Sequence, residues 1–150
     1  MITANGHFDL NTPQALFQKA HSDYIDFFDS PNSCVLFNLL ATFSHLLEWI
    51  CPEAKGKPPK PSFAKGTPEQ VFYYRLWNNP DYSTVRALCK KSKHLHHRSS
   101  SPNTSVINGA RSGLARAGDS LSQTYFIVDG TDIRDVLMSV YMSYKQFFGK

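Results

Sequence analysis

One sixteen-residue stretch gathers most of the side chains that could do chemistry. VRALCKKSKHLHHRSS, Val85 to Ser100, carries Arg86, Lys90, Lys91, Lys93 and Arg98 together with Cys89 and three histidines. Histidine titrates near neutrality and can pass protons, while a neighbouring lysine or arginine can steady charge developing on a phosphate. Clustered bases can equally hold a polyanion by displacing its counterions. On a helical projection Arg86, Lys90, Lys93 and His97 share a narrow arc, and Tyr82, Val85, Leu88, Cys89, Ser92 and Leu95 form a separate apolar stripe. Cys89 is therefore expected to face the core and His94 to point nearly opposite, which disfavours a Cys–His nucleophilic pair. A plainer explanation competes with all of these. Cations collect at a helix C-terminus because they complement its dipole.

His94 and His97 are three apart and could begin a metal site. His7, His21 and His45 are scattered, however, and the adjoining bases repel a cation, so no metal and no cofactor is expected. The chain contains no phosphate-cradling P-loop, no G-x-S-x-G, no H-E-x-x-H and no dinucleotide fingerprint. Its three cysteines are odd in number and widely spaced, which suits reduced thiols in a cytoplasm better than a disulfide framework. Two of them sit in apolar helical patterns and read as small core residues.

The net charge of +4 is unevenly spread. Residues 1–54 carry one base against six acids; residues 55–98 carry ten bases against two acids. Such asymmetry favours a polyanion partner for the middle third or, more simply, a solvated face. RLWNNPDYS (Arg75–Ser83) sets Trp77 and Tyr82 beside bases, as single-strand-binding surfaces do, although core placement serves these aromatics equally.

The elements that must position these residues are mostly helical. Thr12-Pro13, Ser30-Pro31 and Thr67-Pro68 each place a capping hydroxyl before a proline at the first helical position. Gln70, three after Thr67, completes a capping box. The periodicity predicts helices over about Pro13–Phe28, Pro31–Ile50, Pro68–Trp77 and Asp81–Leu95, and a final aromatic helix from Asp132. The second is apolar nearly all round and should be the central one. Its longest apolar stretch, Cys34–Leu47, is too short and interrupted for a membrane span, and the N-terminus lacks the pattern of a secretory signal. Residues 52–66 read as a Pro/Lys linker, and residues 96–123 as a long Ser/Gly-rich loop in which Val106-Ile107 could form one hairpin arm. Tyr125–Val128 reads as a strand and Asp129-Gly130 as a turn. The expected fold is mainly α: a single domain, residues 1–150, built as a bundle of about five helices with a short β element before the last.

LLATFSHLLEWI (Leu39–Ile50) and VRALCKKSKHL (Val85–Leu95) resemble paired elements of a set of bacterial helical proteins of unassigned function. Those proteins carry a His-x-x-x-Trp element and, on a later helix, a Leu-Cys-Asn-x-x-Lys-His element. Here His45 with Trp49, and Cys89 with Lys93-His94, match them; Lys90 stands in place of the asparagine. More distantly the second element is similar to the Arg-Asn-x-x-x-His signature of the HEPN ribonucleases. That resemblance implies metal-independent RNA cleavage, often in dimers of toxin or defence systems, with His94 in the histidine position. Cys89 occupies the arginine position, and a thiol cannot supply a fixed cationic fork.

Two functional expectations follow. The first is a cytoplasmic, non-catalytic domain holding RNA, another polyanion or a protein partner, with Lys90, Lys91, Lys93, His97, Arg98, Arg111 and Arg116 as candidate contacts. The second is a divergent HEPN-like ribonuclease using His94 as general acid/base, Lys93 or Arg86 as electrostatic stabiliser, and His45 meeting them across the helix packing. For His45 alone, a hydrogen-bonded core position is the simpler expectation. Tyr141, Tyr144, Phe147 and Phe148 on the last helix would suit either a homodimer interface or the core.

Overall fold

The computed structural model describes residues 8–93 and 101–149. Among them are five α-helices and one three-stranded sheet: α1 (Pro13–Asp29), α2 (Ser33–Ile50), α3 (Pro68–Trp77), α4 (Pro80–Lys91), β1 (Thr104–Asn108), β2 (Thr124–Val128), β3 (Thr131–Asp132) and α5 (Ile133–Phe148). The mainly α expectation holds. The β element is larger than a hairpin, since β1, β2 and β3 pair antiparallel in that order.

The caps explain where the helices begin. Thr12 accepts from the Ala15 amide and Thr67 from the Gln70 amide, with the Gln70 side chain returning the bond in a complete capping box. Ser30, by contrast, does not start α2. Asn32 does, its Oδ1 accepting from the Val35 amide at 3.0 Å while its Nδ2 donates to the Ser30 carbonyl. An asparagine caps as well as a serine and here ties back the preceding turn as well, so the helix starts two residues later than the proline rule predicts.

α2 is central on one side only: seven of its 18 residues are buried, while Phe37, Asn38, His45 and Glu48 are exposed. Leu39, Phe43, Leu46 and Leu47 are wholly buried between the neighbouring helices, each stabilising the fold by roughly 1.5–3 kcal/mol. By length and composition α2 is also apolar enough to cross a membrane; in the fold, its apolar face is the packing surface for α1 and α4. Tyr141 and Tyr144 of α5 are core residues. Tyr141 stacks on Tyr24 at 4.0 Å between ring centroids, and the Tyr144 hydroxyl donates to the Phe43 carbonyl at 2.6 Å. Phe147 and Phe148 are half-buried, stacked on Phe72 and Phe17.

Residues 52–66 are not a free linker. Two short 3-10 turns, Pro52–Ala54 and Pro61–Lys65, fold them as a strap over α3. Phe63 is buried edge-on to Tyr73, whose hydroxyl donates to the Lys57 carbonyl at 2.6 Å. The aromatic and the buried phenol give this Pro/Lys segment the anchors that its composition hides. Val106 and Ile107 do lie in a strand, opposite Phe126 and Tyr125, but the Asn108-Gly109 pair does not close a tight hairpin. The tight turn is Asp129-Gly130, with φ of 47° and 80°, joining Val128 to its partner Thr131. Both positions need the left-handed region, which asparagine, aspartate and glycine tolerate best.

Candidate functional site

Arg86, Lys90 and Lys93, at successive spacings of four and three on and just beyond α4, line one cavity of about 350 Å³. Tyr82 and Cys89 of α4, Tyr73 and Trp77 of α3, Ser44 and Glu48 of α2, and Gly56 of the strap complete it. Three residues of the arc inferred from the sequence thus share one cavity at the junction of α2, α3 and the strap, while the fourth, His97, lies outside the described residues. Tyr73 and Tyr82 are buried and form its floor. Burial pushes the Tyr73 phenol up to about 12, with the Glu48 carboxylate adding to the shift. Burial also raises Tyr82, against the opposing pull of Arg86. Both phenols stay neutral at physiological pH, so the charges here are Arg86, Lys90, Lys93 and Glu48.

Arg86 is the distinctive residue. Its guanidinium carbon lies 3.7 Å from the centroid of the Trp77 ring and 5.7 Å from that of Tyr82. One Nη donates to the Ser83 hydroxyl at 3.4 Å, a long bond, and the buried Nε has no partner among the described residues. A guanidinium offers five donors, and a buried donor left unused costs free energy. Glu48 balances it from α2: it lines the same cavity yet makes no hydrogen bond or ion pair with the described residues. Its carboxylate rests against Gly56, where φ is +65° and an added Cβ would collide with a carboxylate oxygen. The left-handed φ favours glycine there, and any side chain would push the end of the Glu48 side chain aside.

The remaining bases divide sharply. Lys91 donates to the Pro102 carbonyl at 2.7 Å and to the Thr104 hydroxyl, tying the end of α4 to β1. This is a tertiary tie between two elements, distinct from the dipole-complementing role considered for the cationic run. Arg116 pairs with Asp135 at 2.9 Å and lies 3.7 Å from Asp132, so carboxylates already match its charge. Arg111 is exposed on the loop. His94, His97 and Arg98 lie outside the described residues. Among the described residues, no group of three His, Cys, Asp or Glu could hold a metal ion.

His45 is neither buried nor part of the Arg86 cavity. It is exposed and lines a separate cavity of about 290 Å³ with Trp49, Lys19 and Asn38, facing α1. Ser44 and Glu48, on the adjoining face of α2, line the Arg86 cavity instead. Cys89 and Cys51 are buried, as small core residues would be, and Cys34 is exposed.

The chain stands apart. No protein-family model, curated protein or solved structure matches it. The site therefore rests on its own geometry.

Sequence reasoning missed Arg134. It is 7% exposed, and its guanidinium makes hydrogen bonds to both carboxylates of Asp132 and Asp119, the shortest 2.8 and 2.7 Å. A longer bond reaches the Leu114 carbonyl at 3.4 Å. Burial alone would lower the arginine's pKa, but the hydrogen bonds it donates to the two aspartates, with their negative charge, outweigh it and raise it. In return, the hydrogen bond from Arg134 holds the Asp119 carboxyl below its usual range, with Tyr125 donating to the same group at 3.0 Å. This cluster fastens the connection between β1 and β2 to the start of α5. A signal existed in the sequence: Arg134 stands three before Leu137 and seven before Tyr141, on the buried stripe of α5. A base on an apolar stripe needs a carboxylate nearby.

Proposed function

We propose that this domain is a single-strand nucleic-acid-binding module that holds the phosphate backbone at the α4 cavity. One observation carries the reading: Arg86, held over Trp77, lines one cavity with Lys90 and Lys93, and none of the three forms an ion pair with a carboxylate among the described residues. Phosphodiester oxygens can accept from the terminal guanidinium nitrogens and from the two lysines along a backbone. The concentration of bases in residues 55–98 supports the same polarity of partner.

The test is retention of labelled single-stranded RNA by the purified protein, with EDTA present, at two salt concentrations. Retention should weaken steeply with salt. It should also fall by about tenfold or more in Lys90→Ala/Lys93→Ala, because each lost phosphate contact removes one released counterion. Absence of retention at low salt contradicts the proposal. A second reading, a ribonuclease, draws on the shared cavity of Arg86 and Lys93, where a cationic pair could steady a phosphorane-like charge. The same assay separates the two. Cleavage by wild type that His94→Ala abolishes would favour the ribonuclease.

A further inference from the structure

The carboxylate in this cationic cavity is unexplained by phosphate binding, which it opposes. Resting on the nucleic-acid reading above, we infer that the cavity is selective for one base: Glu48 reads the Watson–Crick edge of a guanine whose flanking phosphate lies on Arg86, Lys90 and Lys93.

Three observations support this. Glu48 is exposed and makes no hydrogen bond or ion pair with any described residue although Arg86 lines the same cavity, so its carboxylate is open to a ligand that presents donors. Gly56 leaves room for the Glu48 carboxylate at the strap, where any Cβ would displace it. The Arg86 guanidinium carbon lies 3.7 Å from the Trp77 ring centroid, which fixes the cation on the wall of the cavity that Glu48 also lines. The cavity, about 350 Å³, lies at the small end of the roughly 300–1,000 Å³ range of small-ligand sites and suits one nucleotide unit.

The chemistry of the bases selects guanine. An ionised carboxylate is an acceptor at both oxygens and pairs best with two donors side by side. Guanine offers N1–H and N2–H in that arrangement. Adenine and cytosine each set their amino group beside a ring nitrogen that accepts, which repels the second oxygen. Uracil has one N–H between two carbonyls. Glu48 on α2 and the three cations on α4 stand on different elements, so a base edge and a phosphate of the same nucleotide can be held together.

The experiment is fluorescence anisotropy with labelled seven-nucleotide RNAs of uridine carrying one central guanosine, inosine, adenosine or cytidine. The protein is used as the full chain, wild type and Glu48→Gln. Wild type should bind the guanosine oligomer about tenfold tighter than the all-uridine one. Inosine, lacking the 2-amino group, should lose most of that advantage, and adenosine and cytidine should show none. Glu48→Gln should erase the guanosine preference and bind the all-uridine oligomer at least as tightly as wild type, because the carboxylate that opposes the phosphate is gone; its fold is checked by circular dichroism. Equal binding of all oligomers by wild type overturns the guanine inference and leaves the backbone-binding reading standing. Binding of none overturns both. A guanosine preference that survives Glu48→Gln overturns the role given to Glu48.

Discussion

Two arginines in this molecule do opposite things with the same side chain. Arg134 is enclosed by Asp132 and Asp119, with its donors spent on carboxylates and one carbonyl. Arg86 is covered by an indole on one side, bonded weakly to a serine, and left with a buried Nε that has no described partner. A cation whose charge is neutralised inside the fold is structural cement: it joins a connection to a helix. A cation that packs on a ring but keeps its donors is held in place without being used up. The contrast separates the basic residues better than any count of charge does. Lys91 and Arg116 belong with Arg134, and Lys90 and Lys93 with Arg86.

The comparison breaks most visibly at Arg134. Replacing it by methionine should destabilise the protein by about 3 kcal/mol, because buried Asp132 and part-buried Asp119 lose their shortest donors and only Arg116, 3.7 Å from Asp132, remains as a counter-charge. Urea titration measures this, and limited proteolysis should open the 109–123 connection first. A loss under about 1 kcal/mol would place Arg134 among ordinary surface residues and erase the distinction. Acid is the next lever. Arg134 holds the Asp119 carboxyl below its usual value, so the stability this carboxylate contributes is full above about pH 4 and is lost as pH falls through its lower folded value. Thermal melting between pH 7 and pH 2 should show that acid limb in wild type and a flatter one in Asp119→Asn, which should already be weaker at neutral pH. The smallest effect on stability belongs to Arg86. Arg86→Ala removes a cation–π contact at a half-exposed site, about 0.5–1 kcal/mol, and should barely move the urea midpoint.

Much of this contrast was legible in the sequence on one side only. The Thr-Pro starts of α1 and α3, the apolar α2 and the final aromatic helix follow from local rules, and the structure has them. The spacing of Arg86, Lys90 and Lys93 is likewise a property of one helix, so the arc could be drawn from sequence alone. What could not be read is whatever meets across elements. Glu48 arrives from α2 and Gly56 from a strap that looks like a linker, because the anchors of that strap, Phe63 and the bond from Tyr73 to Lys57, depend on tertiary packing. Asp119 and Arg134 are fifteen residues apart and meet only because β2 and the Asp129-Gly130 turn bring the chain back. The start of α2 shifted for a local reason instead: Asn32 outcompeted Ser30 as the cap. His45 was misplaced because an apolar helix reads as buried on every side, whereas α2 leaves one flank open toward α1.

The central claim is that Arg86 keeps its donors for a phosphate, and one measurement addresses it directly. The affinity of wild type and Arg86→Ala for a labelled single-stranded RNA would be followed across a salt series, with the urea midpoint of both proteins as the control for folding. The account expects nearly equal midpoints, affinity at least tenfold lower in the variant, and a salt slope shallower by about one released ion. Equal affinity and equal slope in two equally stable proteins would contradict it, and would make Arg86 a packing residue on Trp77 and nothing more.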